Sequence, residues 1–118
     1  MRMLSNFTTE SVNDVFIVTV NLHEATIEQA GEFNKLLSDI IENGYHNILI
    51  EMSEVNFMDS TFLGALIINL KKISPADGKL LLIGLKPIFN TMFLQTNLDK
   101  IFEISQSRTE ALNKFLIN

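Results

Sequence analysis

The chain has 118 residues, enough for one domain, residues 1–118, and its 47% hydrophobic and 19% charged content is that of a folded chain rather than a disordered one. A net charge of −5 with no basic block excludes nucleic-acid binding by counterion release. The absence of cysteine excludes disulfides and thiolate metal sites and fits a reducing cytoplasm.

No apolar run approaches the roughly 20 residues needed to span a bilayer, so direct membrane insertion is not expected. Met1 to Ser5 carries a charge but no apolar segment behind it, so it does not read as a signal peptide. Leu4 to Thr9 is weakly strand-like, and Ser11-Val12-Asn13-Asp14 reads as a turn. Val15 to Leu22, rich in β-branched and aromatic residues, is the first strong strand and closes a hairpin. Thr26 followed by Gln29 fits a capping box. The helix it opens carries Phe33, Leu36, Leu37, Ile40 and Ile41 near the 3.6-residue period and ends at Asn43-Gly44.

Asn47 to Met52 follows as a strand whose Ile48-Leu49-Ile50 does not alternate, the pattern of a strand covered on both faces. A helix begins after Asp59 and runs to about Lys72. Its stripe of Leu63, Leu66, Ile67 and Leu70 is expected on the sheet, with Asn69, Lys71 and Lys72 toward water. Ser74 to Gly78 is turn-rich, and Leu80 to Ile83 is a second buried strand. Pro87 suits the first turn of a helix continuing through Ile88, Phe89, Met92 and Phe93. Ile101 to Ile104 reads as a short last strand. Ser107 and Glu110 form a second capping box before a helix with Ala111, Leu112, Phe115 and Leu116. The order β-β-α-β-α-β-α-β-α calls for an α/β fold with a mixed, mostly parallel sheet.

Chemistry-bearing residues are sparse. The five glycines are scattered and form no phosphate loop, and His23 and His46 have no metal-ligand spacing. A triad of Ser60, His23 and an acid lacks the Gly-x-Ser-x-Gly elbow, so no catalytic residue, cofactor or metal is expected. What stands out is Asp59-Ser60-Thr61, between a strand and a helix. As a helix N-cap it contributes about 1 kcal/mol. As a phosphorylation site it would place an anion where the helix dipole and free amides favour one. Both readings stay open from the residues alone.

Phe57-Met58-Asp59-Ser60-Thr61-Phe62-Leu63-Gly64 closely resembles the Asp-Ser-Ser/Thr-Gly-Leu-Gly signature of STAS domains, specifically the small bacterial anti-sigma factor antagonists. The resemblance covers almost the whole chain: the hairpin, Ile48 to Met52, Asp77-Gly78, Leu80 to Ile83, Lys86-Pro87 and Leu98 to Phe102 follow the family's order. It implies a STAS-like domain, with about four helices packed mainly on one side of the sheet. It implies an unphosphorylated form that binds an anti-sigma factor, itself a serine kinase, and so releases a sigma factor. The kinase would use ATP to modify Ser60, with Thr61 the runner-up acceptor, and a separate phosphatase would reset it. Partner-binding residues would be Asn21, His23, Thr26, Met58, Asp59, Ser60, Thr61, Phe62, Leu63, Gly64, Lys86 and Pro87. Two positions depart from the pattern. Phe62 stands where glycine is usual, as an apolar anchor for a partner, as a clash with the usual kinase, or folded back on its loop. His23 stands for the usual aspartate of the first crossover, as a pH-sensitive or phosphate-facing group or as a solvated one. These departures suit an alternative: a non-switching STAS scaffold, or a subunit of a stress-sensing or lipid-transport complex. A small enzyme or nucleotide-binding domain using Ser60 is the third reading.

Overall fold

The computed structural model describes residues 5–116. Strands β1 (Phe7–Val12) and β2 (Val15–Val20) form an antiparallel hairpin. Its two-residue turn puts Asn13 at φ 57°, a left-handed conformation that asparagine tolerates. The turn is therefore tighter than Ser11 to Asp14, because Ser11 and Val12 pair with Phe16 and Val15. The early start expected at Leu4 lies outside the described residues.

After the hairpin come β3 (Glu24–Ala25), α1 (Ile27–Glu42), β4 (Asn47–Glu51), β5 (Phe57–Met58) and α2 (Ser60–Ile73). The chain continues through β6 (Lys79–Ile83), α3 (Pro87–Gln95), β7 (Glu103–Ser105) and α4 (Arg108–Leu116). The main sheet has the order β1-β2-β4-β6-β7, and every pair after the hairpin is parallel. β3 and β5 form a separate two-stranded parallel pair.

The non-alternating apolar runs are explained by cover on both faces. Val18, Val20, Ile48, Ile50, Leu80 and Leu82 pack with Phe33 and Leu37 of α1, Leu66 of α2 and Phe89 and Phe93 of α3. Val15, Ile17, Leu49, Leu81 and Ile83 point the other way, to Ala111 and Phe115 of α4. Three helices thus cover one face and the last helix the other, so the helices lie mainly on one side.

Three details differ from the sequence reading. The buried stripe of α2 is Phe62, Ala65, Leu66, Asn69 and Ile73, while Leu63, Ile67 and Leu70 are half-buried beside it. Asn69 does not face water: its Nδ2 donates to Asn34 Oδ1 on α1 (2.9 Å) and to the Ala65 carbonyl (2.8 Å). One of these bonds crosses the α1–α2 contact and the other stays within α2, so the buried amide's donor is paired while its Oδ1 has no partner among the described residues. The last strand, Glu103–Ser105, starts two residues later than the expected Ile101 and ends one residue past Ile104. A short 3₁₀ turn at Leu98–Lys100 is extended by Ile101 and Phe102 amides bonded back to the Leu98 carbonyl.

Candidate functional site

The connection before α1 is stitched to the connection before α2. In β3 and β5, Glu24 pairs with Phe57 and Ala25 with Met58. The His23 carbonyl accepts the amides of Asn56 (2.8 Å) and Phe57 (3.1 Å), and the Ala25 carbonyl accepts that of Asp59 (3.1 Å). These bonds satisfy backbone groups of two loops that no strand of the main sheet reaches. They also set the N-termini of α1 and α2 beside each other, past the carboxyl ends of β2 and β4. In an open α/β sheet this edge is where function-bearing groups gather.

Asp59 holds the arrangement. It is the N-cap of α2, with extended backbone at φ −87° and ψ 173°. Its Oδ1 accepts the Phe62 amide (2.9 Å) and its Oδ2 accepts the Ile27 amide (2.8 Å), so one carboxylate caps two helices. Thr26 caps α1 by the expected box: its hydroxyl accepts the Glu28 amide and the Gln29 side chain accepts the Thr26 amide. Of the first-turn amides of α2, those of Asp59 and Phe62 are taken. Among the described residues no acceptor pairs with those of Ser60 and Thr61, whose side chains are exposed. The site is therefore two hydroxyls and two open amides at the positive end of a 14-residue helix.

The other residues named from the sequence separate into groups. His23 is exposed, with Nδ1 3.4 Å from Asn56 Nδ2, and its backbone does the stitching described above. Lys86 donates to the Ser53 carbonyl (2.6 Å), tying the loop after β6 to the loop after β4, and Pro87 is the exposed first residue of α3. Asn21 belongs elsewhere: its amide donates to the Ser5 carbonyl (3.1 Å) and Thr8 hydroxyl (3.4 Å), closing the end of the hairpin. Met58 is buried, and Leu63 and Gly64 are half-buried. The anchor reading of Phe62 is corrected. Its ring is wholly buried, 4.7 Å from that of Phe33 and 6.4 Å from that of Phe7, so it belongs to the core and not to a partner's surface. The physical reason is that position 62 falls on the inward side of α2's first turn.

Three exposed apolar side chains lie at this edge: Ile27 and Phe57, neither expected as a surface feature from the sequence, and Ile88, expected within the apolar run of α3. A signal for the first existed, since Ile27 lies off the apolar stripe of its helix. Gly84 is a further support of the site. It sits at φ +76°, and a Cβ there would lie 2.9 Å from both the Ser53 amide nitrogen and Oγ. Gly84→Ala should cost about 1–3 kcal/mol in thermal denaturation and loosen the Ser53 loop. Among the described residues no cluster of His, Asp or Glu is placed to hold a metal ion, and no helix is long and apolar enough to cross a membrane.

A family model described as the STAS domain matches residues 6–111. The chain is 35% identical over 104 residues to a candidate anti-sigma factor antagonist of Thermotoga neapolitana, covering 87% of this chain and 91% of that one. It superposes on the crystal structure of a candidate anti-sigma factor antagonist from Thermotoga maritima with a TM-score of 0.82 at 31% identity, covering 92% of each chain. The phosphorylated form of the Bacillus cell fate determinant SpoIIAA shares the fold, with a TM-score of 0.73 at 18% identity and coverage of 92% and 98%.

Proposed function

This chain belongs to the STAS domain family, among its anti-sigma factor antagonists, and we propose that it is a binding switch controlled at Ser60. In this reading the unmodified domain binds an anti-sigma factor that is also a serine kinase and thereby frees a sigma factor in the cytoplasm. It is not an enzyme; the kinase does the chemistry. The Ser60 hydroxyl attacks the γ-phosphorus of ATP, the bond to ADP breaks, and the hydroxyl proton passes to a base of the kinase. A phosphatase reverses the state by hydrolysis.

The observation that carries the proposal is the exposed Ser60 hydroxyl on the first residue of α2, behind the Asp59 cap and beside open amides. A phosphate there adds about −1.5 to −2 charge at pH 7. The helix end favours an anion by about 0.3–1 kcal/mol, so the domain can carry the group without unfolding. The effect then falls on a partner that must cover this edge, which includes the apolar Phe57. That a Bacillus chain of the same fold exists in a phosphorylated form is consistent with this tolerance.

The test is incubation of the chain with its anti-sigma factor kinase and ATP, followed by peptide mapping. One phosphoryl group on Ser60, absent from Ser60→Ala, is the expected result. Modification of Thr61 instead would move the switch by one residue. Modification of neither, with a pull-down that returns other STAS chains or a transporter ATPase and no kinase, would select the scaffold reading.

A further inference from the structure

We propose that Asp59 is a clamp between two helices that a phosphate on Ser60 opens, so that the first turn of α1, with the exposed Ile27, reports the state of a residue on α2. The inference rests on the reading of Ser60 as the phosphorylated residue.

The two bonds of the carboxylate are not equivalent. The bond from the Phe62 amide closes a loop of three residues within one helix start. The bond from the Ile27 amide spans 32 positions and depends on how two separate elements are placed. A phosphate on the next residue repels the Asp59 carboxylate and draws the amides at the start of α2 toward its own oxygens. The long-range bond is the one that yields: the Asp59 amide on the Ala25 carbonyl (3.1 Å) keeps the two loops joined, but it does not fix the side-chain Oδ2 that reaches Ile27.

Opening it does not unravel α1. Thr26 Oγ1 accepts the Glu28 amide (3.2 Å), and the Thr26 carbonyl accepts those of Gln29 (3.0 Å) and Ala30 (3.1 Å), so the rest of the first turn is capped without Asp59. Farther along, Asn69 to Asn34 (2.9 Å) and Lys72 to Ser38 (3.0 Å) keep the two helices tied. The change is therefore confined to the end where Ile27, 67% exposed, presents an apolar side chain. The phosphate would thus alter the surface offered to a partner at two points, one on each helix. Part of the loss of binding would come from Ile27 rather than from charge.

The full chain is made with phosphoserine installed at position 60 during synthesis, so no kinase is needed. Amide exchange and ¹⁵N shifts are then compared with those of the unmodified chain. Exchange at Ile27 should rise by about tenfold or more, with a shift of its resonance, while Leu37 and Ile40 amides deep in α1 stay protected. Asp59→Asn, which offers one acceptor oxygen for two amides, should loosen Ile27 in the unmodified chain. An Ile27 amide unmoved by phosphoserine, or loosening spread evenly over α1, would overturn the clamp. If Asp59→Asn fails to fold, the phosphoserine chain decides alone, since it keeps Asp59. An Ile27 response in a chain whose Ser60 no kinase modifies would uphold the clamp and remove the proposed function. Modification without a response would do the reverse.

Discussion

Phe62→Ala should lower stability by about 3–5 kcal/mol, the range for deleting a buried phenyl ring. In a chain of this size that is a fall of roughly 10–20 °C in the unfolding midpoint. The ring has no exposure and sits in a cluster with Phe33 of α1 and Phe7 of β1, at centroid distances of 4.7 and 6.4 Å. Its loss opens a cavity among three elements, and the rings around it also lose favourable tilted and offset contacts. The same residue donates its amide to Asp59, so backbone and side chain together pin the start of α2 and thus the position of Ser60. Where the family signature carries glycine, this chain fills the space with a ring. At a temperature where the variant is still folded, affinity for the proposed anti-sigma factor partner should change little. A stability loss below about 1 kcal/mol would contradict the core placement. A large affinity loss at unchanged stability would restore Phe62 as an anchor.

The legible parts of the fold are those that leave a local pattern. Ile48-Leu49-Ile50 and Leu80 to Ile83 are unbroken apolar runs because sheet residues on both faces are covered. Thr26 and Gln29 announce a helix start because their bonds close within three residues. At Ser107 that pattern is half-realised. Its hydroxyl accepts the Glu110 amide (3.1 Å), but the Glu110 carboxylate pairs with Lys114 (3.6 Å). The illegible parts are made by contacts between distant positions. β3 and β5 are two residues each, too short to show alternation, and they pair only because two loops meet. Asn69 reads as a surface residue by type; its burial depends on Asn34 in another helix. The second bond of Asp59 leaves no mark near position 59 at all. So the motif could be found from the sequence, while the way it grips two helices could not. His23 is a similar case: its identity drew attention, yet its carbonyl does the structural work.

At the motif itself, the proposed switch requires Ser60→Ala and Ser60→Asp to separate by about 30-fold or more in affinity for the proposed anti-sigma factor kinase. The alanine variant should bind like the unmodified chain and become insensitive to ATP, because the hydroxyl is exposed and bonds to no other described residue. Both variants should fold within about 0.5 kcal/mol of the parent, as exposed substitutions do. In the aspartate variant a carboxylate sits beside Asp59 at the surface that the proposed partner covers. An unpaired charge desolvated at an interface costs about 2–5 kcal/mol, which sets the lower bound of 30-fold. Aspartate carries less charge than phosphoserine and reaches less far, so the phosphorylated chain should bind more weakly still. Titration calorimetry at two salt concentrations distinguishes the causes. A deficit that shrinks at high salt is long-range repulsion at the rim, and one that persists is desolvation at the centre of the contact. Equal affinities for the alanine and aspartate variants would sink the switch. The Asp59-Ser60 pair would then be a helix cap and no more.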